Sequence, residues 1–229
     1  MKTVAIIQAR MGASRLPNKM LLHLHGYPIV EWVYQRVKKA KKIDQILFAL
    51  PDTKNDDLLA NYLQEIGVKV FRGSELDLVD RYCQAATSVS ASVVVRICAD
   101  NPLVCPTEID KLIDFFSKNK CDYAYNHIPK GNSYPDGLGA EICSIKLLKE
   151  ISQKSIKSQH REHLFNYIWD NQSYYKIQTF EPSRELSHPE LKFDLDTLND
   201  YQKLLEKPYR INMISSEVIK TAIEQVIEE

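Results

Sequence analysis

The chain has 229 residues, 44% of them hydrophobic, enough to bury one sizeable core. Lys+Arg and Asp+Glu balance at 30 each, so no overall field draws the chain to nucleic acid or an acidic membrane, and any anion site must be a local cluster. The five cysteines are never spaced C-x-x-C, and no apolar run approaches a secretory or membrane-spanning length, which argues against a disulfide framework, a zinc site and membrane insertion, and fits a reducing cytoplasm.

In chain order, Val4–Gln8 reads as a short apolar strand that ends in a loop holding Arg10, Gly12, Ser14, Arg15 and Lys19. Pro28 then opens a helix with Ile29, Trp32, Val33 and Val37 on one face. Ile46–Leu50 is the next strand, and Asp56–Ile66 a helix stopped by Gly67. Val68–Phe71, a helix from Leu76 to Ala86, the strand Val93–Cys98 and a helix from Pro106 to Phe116 follow. Apolar strands separated by helices predict a mainly parallel sheet with right-handed crossovers. Past Lys120 the pattern loosens. Asp122–Tyr125 and Ala140–Ile145 read as strands around a turn-rich loop, Pro129–Gly139. Helical signal returns over Gln159–Trp169. Tyr174–Thr179 and Leu191–Leu195 read as strands, and Ser215–Ile227 as a terminal helix capped by Ser215 or Ser216. No repeat or linker divides the chain, so residues 1–229 are expected to form one domain.

Ligands of an open α/β sheet sit beyond the carboxyl ends of its strands. Four segments have that placement: the first loop, Pro51-Asp52, Ala99-Asp100-Asn101-Pro102 and Asp196-Thr197. The first loop joins three cations and a glycine to exposed backbone N–H groups, which suits a polyanion. It is neither G-x-x-x-x-G-K-[ST] nor G-x-G-x-x-G, and the bland alternative is a turn with solvated Arg and Lys. Asp100 and Asp196, each following a strand, make an oxygen site for Mg²⁺ if they meet, or merely cap their turns if they do not. Asp77, Asp80, Arg81 and Tyr82 crowd a helix start, where Asp ordinarily serves as a cap. His160 and His163 find no further ligands for zinc. No histidine has a Ser or Cys partner, so covalent catalysis is not expected, and in-line displacement at phosphorus does not require it.

Together, I-I-Q-A-R-M-G-A-S-R-L-P-N-K-M, G-S-E-L-D-L-V-D-R-Y, V-V-R-I-C-A-D-N-P-L and R-E-H-L-F-N-Y-I resemble the SpsF-type cytidylyltransferase family, named for spore-coat polysaccharide synthesis and related to CMP-Kdo and CMP-acylneuraminate synthetases. The resemblance runs from Met1 to about Leu204. It implies a Rossmann-like nucleotidyltransferase fold, a three-layer α/β/α sandwich on a mostly parallel mixed sheet. It implies transfer of CMP from CTP to an acidic sugar, or to a phosphorylated or phosphonate acceptor, with Mg²⁺ and in a homodimer. It maps Ala9, Arg10, Met11, Gly12, Ser14, Arg15 and Lys19 onto the triphosphate signature, with Arg10, Arg15, Lys19 and Asp100 in catalysis. Asp80 and Arg81 fall near nucleotide recognition. Asp136, Glu141, Arg161 and Glu162 fall on the acceptor side, within 121–190, a subregion the resemblance implies for acceptor binding or dimerisation. Asp100 matches the first metal ligand. Asp196 matches the second, although Leu198 and Asn199 stand where the family has proline and glutamate. Two rivals remain at this level: a glycosyltransferase using Asp194-Leu-Asp196 as a D-x-D, and a non-catalytic nucleotide-binding module.

Overall fold

The structure, a computed structural model, describes residues 1–224. Strand β1 (Thr3–Gln8) leads through the first loop into a small hairpin of β2 (His23–Leu24) and β3 (Tyr27–Pro28). Helix α1 (Ile29–Val37) crosses to β4 (Gln45–Pro51), α2 (Asp57–Glu65) to β5 (Val70–Gly73), and α3 (Leu78–Ser88) to β6 (Val93–Cys98). These four long strands run parallel in the order β5-β4-β1-β6. Burial on both faces explains their largely apolar sequences, because alternate residues point to opposite sides. Ala5, Ile7, Phe48 and Val95 face α1 and α2, while Val4, Ile6, Leu47 and Val94 face α3. Each buried Val, Leu or Ile contributes about 1.5–3 kcal/mol relative to exposure, which makes this double-sided burial the main driving force.

The later elements are α4 (Pro106–Lys118), β7 (Tyr123–Tyr125), β8 (Glu141–Ser144), α5 (Ile145–Lys154), α6 (Ser158–Glu162), α7 (Asn166–Asp170), β9 (Ile177–Gln178), α8 (Leu198–Leu205) and α9 (Ser215–Ile223). They extend the sheet to β5-β4-β1-β6-β8-β7-β9, with β8 antiparallel to both of its neighbours. α4 covers the face that α1 and α2 cover, and α5 joins α3 on the other. The result is the three-layer α/β/α arrangement on a mostly parallel mixed sheet. A third apolar cluster, including Trp32, Leu138, Phe193, Leu195 and Val218, fastens the carboxyl-terminal segments beside the hairpin. Among the described residues no helix is long and apolar enough to cross a membrane.

Several expected elements change. Leu191–Leu195 is no strand; its alternation is real, but its partners are loops. Asp136 N–H donates to Leu191 O, Phe193 N–H to Asp136 O and Leu195 N–H to Asp100 O, at 2.8–3.0 Å. Gly137 (φ +84) makes that approach possible, since a Cβ there would lie 3.0 Å from Asp194 N. The helix expected over Gln159–Trp169 breaks at His163, because Leu164 and Phe165 both turn into the core against Tyr123. Tyr174–Thr179 shrinks to β9. The strand expected over Ala140–Ile145 stops at Ser144, whose hydroxyl accepts from Leu147 N–H and starts α5, a helix the sequence reading missed. α8 was also missed, although Thr197 and Asp200 form a reciprocal cap there. Neither Ser215 nor Ser216 caps α9; Glu217 does, accepting from Ile214 N–H at 2.9 Å. Residues 225–227 of that expected helix lie outside the described residues.

Candidate active site

β1 and β6 are neighbours, with Gln8 opposite Cys98, and from β1 the chain crosses toward β4 and β5 while β6 lies on the other side. Such a reversal of strand order opens a crevice at the strand ends. The loop after β1 is pinned there. Buried Asp56 accepts from Met11 N–H at 2.8 Å and from the Thr53 hydroxyl at 2.6 Å. Leu16 and Met20 are tucked into the core. Asn18 adopts the left-handed conformation (φ 59), which Asn tolerates, and turns the chain into Lys19. Gly12 is not required by the protein's own packing, since a Cβ there meets nothing nearer than Asn55 Nδ2 at 3.9 Å.

Lys19 is 8% exposed, and its ammonium is fully engaged. Nζ donates to Leu195 O at 2.7 Å, to Asp100 Oδ2 at 3.0 Å and to Asp196 Oδ1 at 3.3 Å. Arg15 Nη2 donates to the other oxygen of Asp196 at 2.8 Å. The bond from Leu195 N–H to Asp100 O sets the two acidic tips side by side. Cations of the first loop thus meet, at one point, the carboxylate just beyond β6 and a second from the loop that leads into α8.

They open onto a cleft of about 540 Å³. Ala9, Arg10, Ser14, Arg15, Lys19, Arg81, Asp100, Glu162 and Asp196 line it. Burial lowers the Arg81 pKa, and nearby Arg10 adds to the effect; Arg81 Nη1 donates to Ser74 O at 2.6 Å. Other expected residues lie elsewhere. Met11 and Gly12 form the back of the loop. The Asp80 carboxylate turns to Gln84, at 2.7 Å, while Asp77 caps α3. Arg161 faces away, bonded to Ser152 O at 2.7 Å and paired with Asp77 at 3.3 Å. Glu141 is buried under the cleft floor, bonded to Arg96 and Tyr123. Asp136 sits beside Asp194; burial, with Asp194, Asp100 and Asp196 around it, pushes it up to about 6 against the pull of Lys192. Pro51-Asp52 does not join the cleft, and Asp52 pairs with Arg72 instead. In the D-x-D, Asp194 pairs with Lys192 while Asp196 meets Lys19 and Arg15, so the two do not act as a unit.

The cleft also holds residues the sequence reading placed in no site, Gln8, Ala13, Met20, Glu75, Leu76, Leu78 and Cys98, together with His163, weighed there only as a zinc ligand. Gln8 and Cys98 carried a signal, as polar ends of apolar strands. Glu75 and Leu76 lie between a strand end and a helix cap, the same kind of position as the first loop.

The sequence matches the cytidylyltransferase family over residues 4–227. It is 32% identical over 204 residues to the spore coat polysaccharide biosynthesis protein SpsF of Bacillus subtilis, a match covering 87% of this chain and 83% of that protein. A 3-deoxy-manno-octulosonate cytidylyltransferase of Chloroherpeton thalassium is 36% identical over 121 residues, 52% of this chain and 48% of that one. Among solved structures, a cytidylyltransferase from Leptospira borgpetersenii serovar Hardjo-bovis superposes with a TM-score of 0.88 at 26% identity, covering 100% of both chains.

Proposed function

The chain belongs to the cytidylyltransferase family, whose members are CTP-dependent nucleotidyltransferases, and from that premise we propose that it transfers CMP from CTP to an oxygen of an acidic sugar or of a related phosphorylated or phosphonate acceptor, releasing pyrophosphate. One observation carries this reading: Lys19 Nζ binds Asp100 and Asp196 together beneath a rim bearing Arg10 and Arg15. In this role, the backbone N–H groups of the loop, the Ser14 hydroxyl, and the Arg10 and Arg15 guanidiniums bind the β and γ phosphates. They stabilise the charge that develops on departing pyrophosphate. Gly12 leaves room for a phosphate to approach the backbone. Lys19 keeps the two carboxylates converged, and the acceptor oxygen attacks the α-phosphorus in line. No protein nucleophile is needed.

The donor set also fits a divalent metal. Among the described residues no group of three or more His, Cys, Asp or Glu could hold an ion alone. Asp100 and Asp196 supply two hard carboxylates, about 30% exposed, beside the expected phosphates. Mg²⁺ takes few protein ligands and shares phosphate oxygens and water, so the pair suits it. Bound there, it would neutralise charge on the transferring phosphoryl group.

We further infer a cytoplasmic homodimer serving surface-polysaccharide synthesis. The name of the Bacillus subtilis relative supports the pathway, and exposed Ile156 and Tyr174 in the 121–190 stretch support an interface there. The test is a thermal-shift panel of CTP, UTP, GTP and ATP with Mg²⁺. CTP at about 100 times its Kd stabilises by about 2.7 kcal/mol, a rise of roughly 5–10 °C for a chain of this size. Equal shifts for all four nucleotides would overturn the assignment of CTP as donor.

A further inference from the structure

The cleft floor is a row of polar side chains on one face of the sheet. Gln8 ends β1 opposite Cys98 of β6, and Arg96 of β6 lies opposite Glu141 of β8. Lower on the same face the positions are Val4, Ile6 and Val94, as a buried sheet demands. A polar row in a central sheet is costly unless every group is paired. Arg96 directs its fork at three neighbours: Nε donates to Gln8 Oε1 at 3.0 Å, Nη2 to Cys98 Sγ at 3.2 Å, and Nη1 to Glu141. Glu141 in turn accepts from the Tyr123 hydroxyl at 2.5 Å and faces His127 Nε2 at 3.6 Å.

This row fixes the amide of Gln8. A guanidinium only donates, so Gln8 turns its carbonyl oxygen to Arg96. Its Nε2 is left pointing into the cleft that Gln8 lines, and it donates to no protein group among the described residues. We propose that Gln8 is a specificity-determining residue that donates from Nε2 to an oxygen of the acceptor's anionic group, with Arg96 and Glu141 as positioning residues that hold its amide in that sense. The surroundings favour the acceptor over the nucleobase. Leu76, Leu78 and Arg81 offer apolar and planar surface suited to a base. Gln8 and Cys98 instead lie on the floor near Asp100, in a cleft that Glu162 and His163 also line, an enclosure suited to a hydroxylated acid. This inference rests on reading the acceptor as a sugar acid.

The test compares wild type with Gln8→Glu, which keeps an oxygen for Arg96 and replaces the inward-facing NH₂ by a second oxygen. Pyrophosphate release is followed with CTP, Mg²⁺ and a panel of 2-keto-3-deoxy sugar acids and their phosphorylated forms. The expected result is an acceptor kcat/KM lower by about 100-fold, mostly through KM, with the CTP KM within about twofold and an undiminished melting temperature. Arg96→Lys keeps the charge without the fork. It raises the same acceptor KM about tenfold and adds little on top of Gln8→Glu, as expected of residues acting as one unit. An unchanged acceptor KM in Gln8→Glu overturns the proposal. So does weaker CTP binding with a gain of UTP use and no acceptor effect, because Gln8 would then face the base. Wild-type inactivity toward the whole panel overturns the acceptor class itself, which is a separate failure.

Discussion

At the mouth of the cleft Arg15 meets Asp196 with side chains 66% and 28% exposed, whereas under its floor Arg96 meets Glu141 with side chains 16% and 5% exposed. Both are guanidinium–carboxylate pairs. In water such a pair contributes about 0–1 kcal/mol, so Arg15 can leave Asp196 for a phosphate at little cost. In the interior, removing one partner strands the other charge, and that costs about 3–5 kcal/mol. The mouth is therefore built to exchange partners and the floor to hold still. Mutations should separate accordingly, with activity lost at the mouth and stability lost at the floor.

The largest expected effect is at the mouth. Asp100→Ala should lower pyrophosphate release by about 10³-fold if, as proposed, its carboxylate serves the transferring group. The melting temperature should move little, since Lys19 retains Leu195 O and Asp196. Near wild-type turnover in a coupled pyrophosphate assay would break the division at its first side.

At the floor, Glu141→Gln should cost about 3 kcal/mol in urea denaturation at pH 7. Burial alone would raise the Glu141 carboxyl, but Arg96, His127 and Tyr123 outweigh it and hold it below its ordinary 4.5. A depressed carboxyl contributes stability that is present above pH 4.5 and lost as the pH falls through its folded value. Glutamine takes up no proton, so the gap between wild type and variant should narrow in acid. A gap that stays constant down to pH 3 would show that the Glu141 charge is not the source.

The smallest effect sharpens the comparison from behind the cleft. Arg161→Ala removes the pairing with Asp77 and the bond to Ser152 O, both partly exposed. It should cost about 1 kcal/mol and leave CTP affinity unchanged by isothermal titration. A large loss of CTP binding would move Arg161 from fastening α6 to α3 into the site itself.

Signals that operate within a few residues were legible. The apolar runs of β1, β4 and β6, bounded by proline, glycine and charge, announced a parallel sheet. The run of cations from Arg10 to Lys19 announced a charged loop at a strand end, and that loop lines the cleft. Asp77 announced a helix cap, and it also explains why neighbouring Asp80 turns to Gln84, outside the cleft. The second half was harder to read because its segments pair with loops. Leu191, Phe193 and Leu195 alternate as a strand would, but their backbone pairs with that of Asp136 and Asp100 in loops. The break at His163 follows from two adjacent apolar side chains that enter one core, a demand no helical period expresses.

The sequence by itself determined the parallel half of the sheet, its crossovers and the chemical inventory of the first loop, because hydrophobic periodicity and turn chemistry are local properties of the chain. Only the tertiary structure decided which of those groups meet. Lys19 and Asp196 stand 177 positions apart in the chain, and a salt bridge at that separation leaves no local mark. The orientation of the Gln8 amide was likewise decided by a guanidinium on the neighbouring strand, since direction at a hydrogen bond belongs to the pair of groups and not to either residue alone.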